Sequence, residues 1–441
     1  MRGVSIADQS MGLGLRAIRA LAGLEAVDRF GLRKPAERLL YGASRNGARA
    51  AGAANRAFTA ATRLGRPARL SPATSSGLFD LTPDDEQQML RDTFKEFALG
   101  ELRPAAQAAD AACEAPRELL DQAAELGLTM LGVPDELGGA VTERSAVTSV
   151  LIAEALAYGD MGLAAALLAP AGVGTALTLW GDADQQATYL PALVGDKPPA
   201  AALALLEARP LFDPFALETT ARSGGGDLVL NGVKSLVPLA RTAELFVVAA
   251  AGADGRPRLV LLESGTAGVG VEPEPAMGVR ASAAGRLVLE DVRVPATAVL
   301  GEGDPAVYAE AVQRARLAWC ALAVGTATAV LDYVIPYVNE RVAFGEPISH
   351  RQAVAFTVSD IAIEIEGMRL LTWRAASRAD QGRDFGHQVA LARRLCAARG
   401  TAIGSHGVQL LGGHGYVKEH PVERWYRDLR ATGVMEGALI V

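Results

Sequence analysis

Apolar residues recur at three- and four-residue spacing from about residue 82 to Pro199, which predicts helix after helix. Thr82-Pro83-Asp84-Asp85 marks the first start, with a capping hydroxyl, a proline at the first helical position and acids at the positive end of the dipole. Residues 131–139 read as a loop. Residues 163–179, alanine-rich and broken by Pro170 and Gly172, predict a buried helix pair, and residues 182–193 a further helix. Near Ala201 the period changes. The runs 228–230, 245–250, 259–262 and 287–294 are short, rich in β-branched residues and parted by Gly, Asn and Pro, which predicts an all-β insert. Helical spacing returns after Gly303 and lasts to about Gly412, and residues 318–334 are apolar nearly all round, as at the centre of a bundle. The expected fold is therefore α+β in three segments: a helical domain over 81–200, a small β domain over 201–303 and a C-terminal helical bundle over 304–441.

Composition narrows this only slightly. A chain of 441 residues exceeds what one core usually fills, so two or three domains are expected, and half the residues are hydrophobic. Cys113, Cys320 and Cys396 are far apart without C-x-x-C spacing, which argues for a reducing compartment. Five scattered histidines and no H-E-x-x-H pairing argue against a metal site. No window gives the roughly 20 uninterrupted apolar residues of a membrane span.

Charge adds one feature. Residues 1–79 carry 13 Arg/Lys against 4 Asp/Glu, a net of +9, whereas the whole chain is −7 and the remainder therefore −16. Residues 1–80 thus form a separate basic helical extension ending in a Pro- and Ser-containing linker. Three readings fit it: a basic arm making peripheral contact with an anionic membrane through residues 1–70, an organelle transit peptide, or a helical extension packed on the body or a partner. The first and third suit a cytoplasmic, membrane-associated protein, and the second a mitochondrial one. Aromatic residues do not interleave with the arginines, so nucleic acid is not an expected partner.

Candidate chemistry concentrates late in the chain. Arg341 follows a long helical run and precedes the turn Phe344-Gly345-Glu346-Pro347. A guanidinium there can grip a pyrophosphate bidentately, or it can neutralise the helix dipole and pair with Glu340 or Glu346. Gln409 stands one turn before Gly412-Gly413, a pair that admits a phosphate or ribose close to the backbone or ends a helix through a left-handed glycine. Glu423, Arg424, Arg427, Asp428 and Arg430 have i,i+3 and i,i+4 spacings and predict a structural ion-pair helix. Glu436 lies among Val434, Leu439 and Ile440, the apolar surroundings a carboxylate base needs, although a glutamate before glycine near a terminus also reads as a solvated acid.

Several separated motifs, in order, carry a family resemblance. They are Gly181-Asp-Ala-Asp-Gln-Gln-Ala-Thr-Tyr-Leu-Pro191, Leu230-Asn-Gly-Val-Lys234, Met277-Gly-Val-Arg280 through Glu290-Asp-Val-Arg-Val-Pro295, Glu340-Arg-Val-Ala-Phe-Gly-Glu-Pro-Ile348 with Gln352, Gln409-Leu-Leu-Gly-Gly413, Pro421-Val-Glu-Arg-Trp-Tyr-Arg-Asp428 and Met435-Glu-Gly437. From about residue 81 to Glu436 the chain resembles the acyl-CoA dehydrogenase family of flavoproteins. The resemblance implies FAD as cofactor, an acyl-CoA thioester as substrate and α,β-dehydrogenation to a trans-2-enoyl-CoA. It further implies electron transfer to an electron-transferring flavoprotein and a homodimer or homotetramer. By the same resemblance Glu436 is the base that takes the α-proton, and Arg341, Phe344, Gln352, Gln409, Gly412 and Gly413 bind FAD, the first three reaching the cofactor of a neighbouring subunit. Arg316 lines the acyl-CoA pocket, and Gly437 lets the chain pass close to the thioester. Some relatives carry the base one residue before that arginine. Here the position is Ala315, which cannot serve.

The chain departs from the family pattern at three places. The Thr-Glu-Pro-x-x-Gly-Ser-Asp loop appears as Leu206-Glu-Ala-Arg-Pro-Leu-Phe-Asp213. The Trp-x-Thr beside the flavin ring is Leu236-Val-Pro238, where proline offers no N–H, and the Thr after Glu-Gly is Ala438. Two readings follow: an FAD-dependent acyl-CoA dehydrogenase with a divergent ring pocket, or a catalytically weak or non-catalytic partner subunit of the same fold in a hetero-oligomer.

Overall fold

The computed structural model describes residues 71–72, 81–139, 143–195 and 197–436. The expectations for the basic extension, and those resting on Gly437, Ala438, Leu439 and Ile440, lie outside them. Six helices come first: α1 (Asp85–Phe97), α2 (Arg103–Ala112), α3 (Arg117–Glu125), α4 (Ala146–Gly159), α5 (Met161–Trp180) and α6 (Ala183–Leu193). The cap of α1 is Asp84 rather than Thr82. Its carboxylate accepts from Gln87 N while the Gln87 side chain accepts from Asp84 N, a reciprocal box that a hydroxyl two residues earlier cannot make. Asp182 and Gln185 repeat the device on α6. The expected helix pair at 163–179 is one helix, α5, which runs through Pro170 because its surroundings bury it on nearly every side.

Seven strands follow: β1 (Ala201–Ala204), β2 (Thr220–Gly224), β3 (Asp227–Val237), β4 (Leu245–Gly252), β5 (Pro257–Glu263), β6 (Val269–Pro273) and β7 (Gly285–Pro295). They form one sheet in which β4 pairs with β5 antiparallel and with β1 and β2 parallel, while β3 pairs with β2 and β7, and β7 with β6, all antiparallel. The runs read as strands in the sequence fall in β3, β4, β5 and β7. β2 and β6 carry too few apolar positions to be seen alone, and β1 is apolar throughout but only four residues long and without a β-branched residue.

The last part is helical. α7 (Pro305–Glu340) is a 36-residue helix, followed by α8 (Gln352–Asp380), α9 (Gly386–Leu411) and the short α10 (Val422–Asp428). Residues 317–324 of α7 are buried on every face, as its all-round apolarity requires. Gly325 makes this possible, because a Cβ there would stand 2.1 Å from the Glu154 carbonyl oxygen on α4. Both α5 and α7 are long and apolar enough to cross a membrane, contrary to the sequence reading, yet 89% and 72% of their most apolar windows are buried within the fold.

α10 makes ion pairs across the molecule rather than only along itself. Arg424 Nε donates to Asp160 Oδ2 at 2.9 Å, and both side chains are buried. Arg427 keeps Glu423 but also forks onto Asp110 at 2.8 and 2.9 Å and donates to the Met277 carbonyl. Asp428 accepts from Val279 N at 2.6 Å, with burial and then Asp160 pushing its carboxyl up to about 8. Arg430 lies over the Tyr426 ring. The predicted ion-pair helix is thus an anchor joining α2, α5 and the β6–β7 connection. Replacing Arg424 by Met leaves Asp160 buried and unpaired, so stability should fall by about 3–5 kcal/mol, read from the urea midpoint, and Asp160→Asn in the same chain should recover part of the loss.

Candidate active site

The strap after α10 carries Glu436 into the body. Leu429–Gly433 is a turn of 3-10 helix, and both Val434 N and Met435 N donate to the Ala431 carbonyl, bending the chain inward. Met435 enters the core beside Leu317 and Ala318, and Glu436 is 3% exposed. Arg316 Nε, from α7, donates to Glu436 Oε1 at 2.9 Å, and Arg393 Nη2, from α9, stands 3.2 Å from the same oxygen. Oε2 is buried and has no hydrogen-bond partner among the described residues. Burial pushes the Glu436 carboxyl up, and Arg393 and then Arg316 pull it back down. The structure therefore brings together two residues singled out in the sequence, Glu436 and Arg316, and adds Arg393, one arginine of an alternating helix surface with nothing local to mark it.

The segments that depart from the family pattern make contacts of their own. Glu207 is not exposed to a ligand: it pairs with the buried Lys234 at 2.8 Å and accepts from Glu218 N and Thr219 N. The Glu207–Lys234 contact explains why Lys234 can be 0% exposed, and burial still lowers the Lys234 ammonium to about 8. Leu236 N is taken by Glu274 Oε2 at 2.6 Å, and Pro238 has no N–H to give. Leu206, Phe212 and Leu236 join the apolar cluster that holds Met435 and Leu317. Tyr308, which feels the Glu436 charge, donates its hydroxyl to the Pro214 carbonyl at 2.6 Å.

The other candidates form a second locus at the far end of α7. Arg341 and Phe344 line an open cleft of about 1130 Å³ together with Arg351, His406, Gln409, Gly412, Gly413 and His414. Val342–Ala343 pairs with Glu346–Pro347, leaving Phe344 and Gly345 as a two-residue loop with positive φ at both positions, so the Phe344 ring is 95% exposed. Arg341 makes no ion pair among the described residues; Glu346, its expected alternative partner, goes to Arg351 at 3.0 Å. Gly412 sits at φ +59° just past α9, so the glycine-terminated helix end is real. A Cβ at Gly412 or Gly413 would meet nothing within 4 Å, so the protein itself does not need the space. Gln352 opens α8 at an exposed position and is not among the residues lining the cleft. Arg316 and Arg341 are 25 positions apart on one helix, about 37 Å at 1.5 Å per residue.

Three family models match in order: the acyl-CoA dehydrogenase N-terminal domain over residues 84–197, the middle domain over 202–292 and the C-terminal domain over 305–439. The chain is 34% identical over 360 residues to the mitochondrial short-chain specific acyl-CoA dehydrogenase of Mus musculus, covering 80% of this chain and 87% of that one. Among solved structures it is similar to butyryl-CoA dehydrogenase from Megasphaera elsdenii, with TM-score 0.75, 28% identity and 81% and 95% of the two chains covered. A solved structure described as electron transferring flavoprotein of Acidaminococcus fermentans is similar at TM-score 0.75 and 29% identity, with the same coverage. If the cleft is a ligand cradle, Gly413→Val should leave the melting temperature within about 1 °C while weakening binding of adenine nucleotides at least tenfold by calorimetry; equal affinity would remove the cradle reading.

Proposed function

Starting from this chain's membership of the acyl-CoA dehydrogenase family, we propose that it dehydrogenates an acyl-CoA thioester to the trans-2-enoyl-CoA with Glu436 as base. The observation that carries the assignment is the carboxylate itself: it is 3% exposed, held through one oxygen, and unpartnered at the other. An α C–H is a weak acid, and a carboxylate is a competent base for it only where water is excluded and its proton affinity is raised. Burial supplies both conditions. The free Oε2 is the acceptor; on taking the proton, Glu436 becomes neutral and the two guanidiniums keep the pocket's charge from collapsing onto it.

FAD is the cofactor. The residues present fit its phosphate half, because Arg341 and Arg351 offer guanidinium forks into the cleft, Gln409 offers an amide, and the bare Gly412–Gly413 backbone leaves room that no protein atom fills. Bound FAD supplies the acceptor for the β-hydride. The chain's own part is to hold the phosphates with Arg341, Gln409 and Gly412–Gly413, to exclude water with Leu206, Phe212 and Leu236, and to take the proton at Glu436. Because Arg316, which holds the carboxylate, and Arg341, which lines the cleft, are 25 positions apart, about 37 Å of helical rise, the site needs a second copy of the chain, whose cleft end meets this copy's Glu436 end. The assembly is therefore a homodimer or a dimer of dimers, with Phe344 and Gln352 reaching across. Electrons leave to an electron-transferring flavoprotein, and short acyl thioesters are the first substrates to assay, in keeping with the relatives' names.

Colour tests this. Purified protein loaded with FAD should show a flavin band that butyryl-CoA bleaches, and Glu436→Gln should keep the band and lose bleaching by at least a thousandfold. Bleaching that persists in Glu436→Gln removes the base assignment. A chain that stays colourless in excess FAD is instead a non-catalytic partner subunit, the reading favoured by the Leu236 N–H already bound to Glu274 and by Pro238.

A further inference from the structure

Arg393 occupies α9, 43 positions before Glu436, and no pattern in the sequence connects the two. Every hydrogen bond it donates among the described residues goes to the strap: Nη1 to the Met435 carbonyl at 3.2 Å and Nη2 to the Gly433 carbonyl at 3.4 Å, with Nη2 also 3.2 Å from Glu436 Oε1. Arg316 reaches the same oxygen from α7. Two cations from different helices therefore converge on one carboxylate oxygen, and the other is left free in a buried space.

Building on the reading of Glu436 as the base, we propose that Arg393 is a positioning residue for the reaction, clamping the Gly433–Glu436 strap so that Oε1 is held and Oε2 faces the substrate. The geometry gives it two jobs. Its fork onto the Gly433 and Met435 carbonyls of the strap fixes where the carboxylate sits, which a point charge could not do as well. Its charge offsets part of the upward push that burial gives the Glu436 carboxyl, favouring the ionised form that can accept a proton. The charged groups that act on the carboxylate are Arg393 from α9 and Arg316 from α7, and Tyr308, also from α7, is the further titratable group that feels Glu436.

Three variants of the FAD-loaded protein separate this role from simple packing. With butyryl-CoA and an artificial electron acceptor, Arg393→Met should move the acidic limb of the kcat/KM–pH profile upward, so that activity on that limb falls about tenfold and returns at higher pH. The titration of the Glu436 carboxyl, read without substrate as the infrared difference between each protein and its Glu436→Gln counterpart, should move with it. Arg393→Lys, which keeps charge and loses the fork, should restore the limb while kcat stays reduced at unchanged KM. Arg393→Gln serves in place of the Met variant if that protein does not fold. A neutral variant that lowers melting temperature or kcat without moving either titration overturns the proposal and leaves Arg393 a structural clamp. Full activity in Glu436→Gln would instead overturn the base assignment itself, a separate result.

Discussion

The buried ion pair between Arg424 and Asp160 holds the rest of the site in place. Asp160 caps α5 by accepting from Leu163 N, so the same carboxylate starts a core helix and anchors α10. Asp110 on α2 and the Val279 backbone fasten the next turn of α10 through Arg427 and Asp428. With α10 pinned to the N-terminal helices and to the β domain, the six residues between Asp428 and Met435 have little freedom in where they deliver Met435 and Glu436. Burying such charges costs more than their attraction returns unless hydrogen bonds complete the set. Here each acid has an arginine or a backbone N–H, and the return is position rather than stability.

α7 imposes the second constraint. It is packed on all sides at its middle, so it cannot bend to bring its ends together, and it carries Arg316 near one end and Arg341 at the other. The two loci differ as their environments differ. At the Glu436 end charge is enclosed, and each guanidinium is matched to a carboxylate or a carbonyl. At the Arg341 end guanidiniums and an unshielded phenyl ring face an open cleft, a surface that gains by covering. A closed half and an open half on one rigid helix are the reason a second copy is proposed.

Much of this was readable along the chain. The change from helical to strand period near Ala201 and back after Gly303 reflects how each segment buries its apolar side, a local property. The buried middle of α7 was visible because a helix apolar on every face has no solvent side. What escaped was decided by neighbours distant in sequence. Asp84 rather than Thr82 caps α1 because Gln87 answers it; α5 survives Pro170 because packing outweighs the lost hydrogen bond. Cys320 and Cys396, unremarkable by spacing, are both buried, and a hydrogen bond between them helps push the Cys396 thiol up. Glu207 looked like a surviving ligand residue and is the partner of buried Lys234.

By itself, then, the sequence determined the order of helical and β segments, the glycine-ended helix at Gln409–Gly413, and the late carboxylate with an apolar residue before it. Those follow from periodicity and from which residue types can adopt which backbone. Only the tertiary structure decided that Glu436 is enclosed and that Arg316 and Arg393 meet on one of its oxygens. Desolvation and charge pairing act through space, and no spacing along a chain states which side chains will share a pocket.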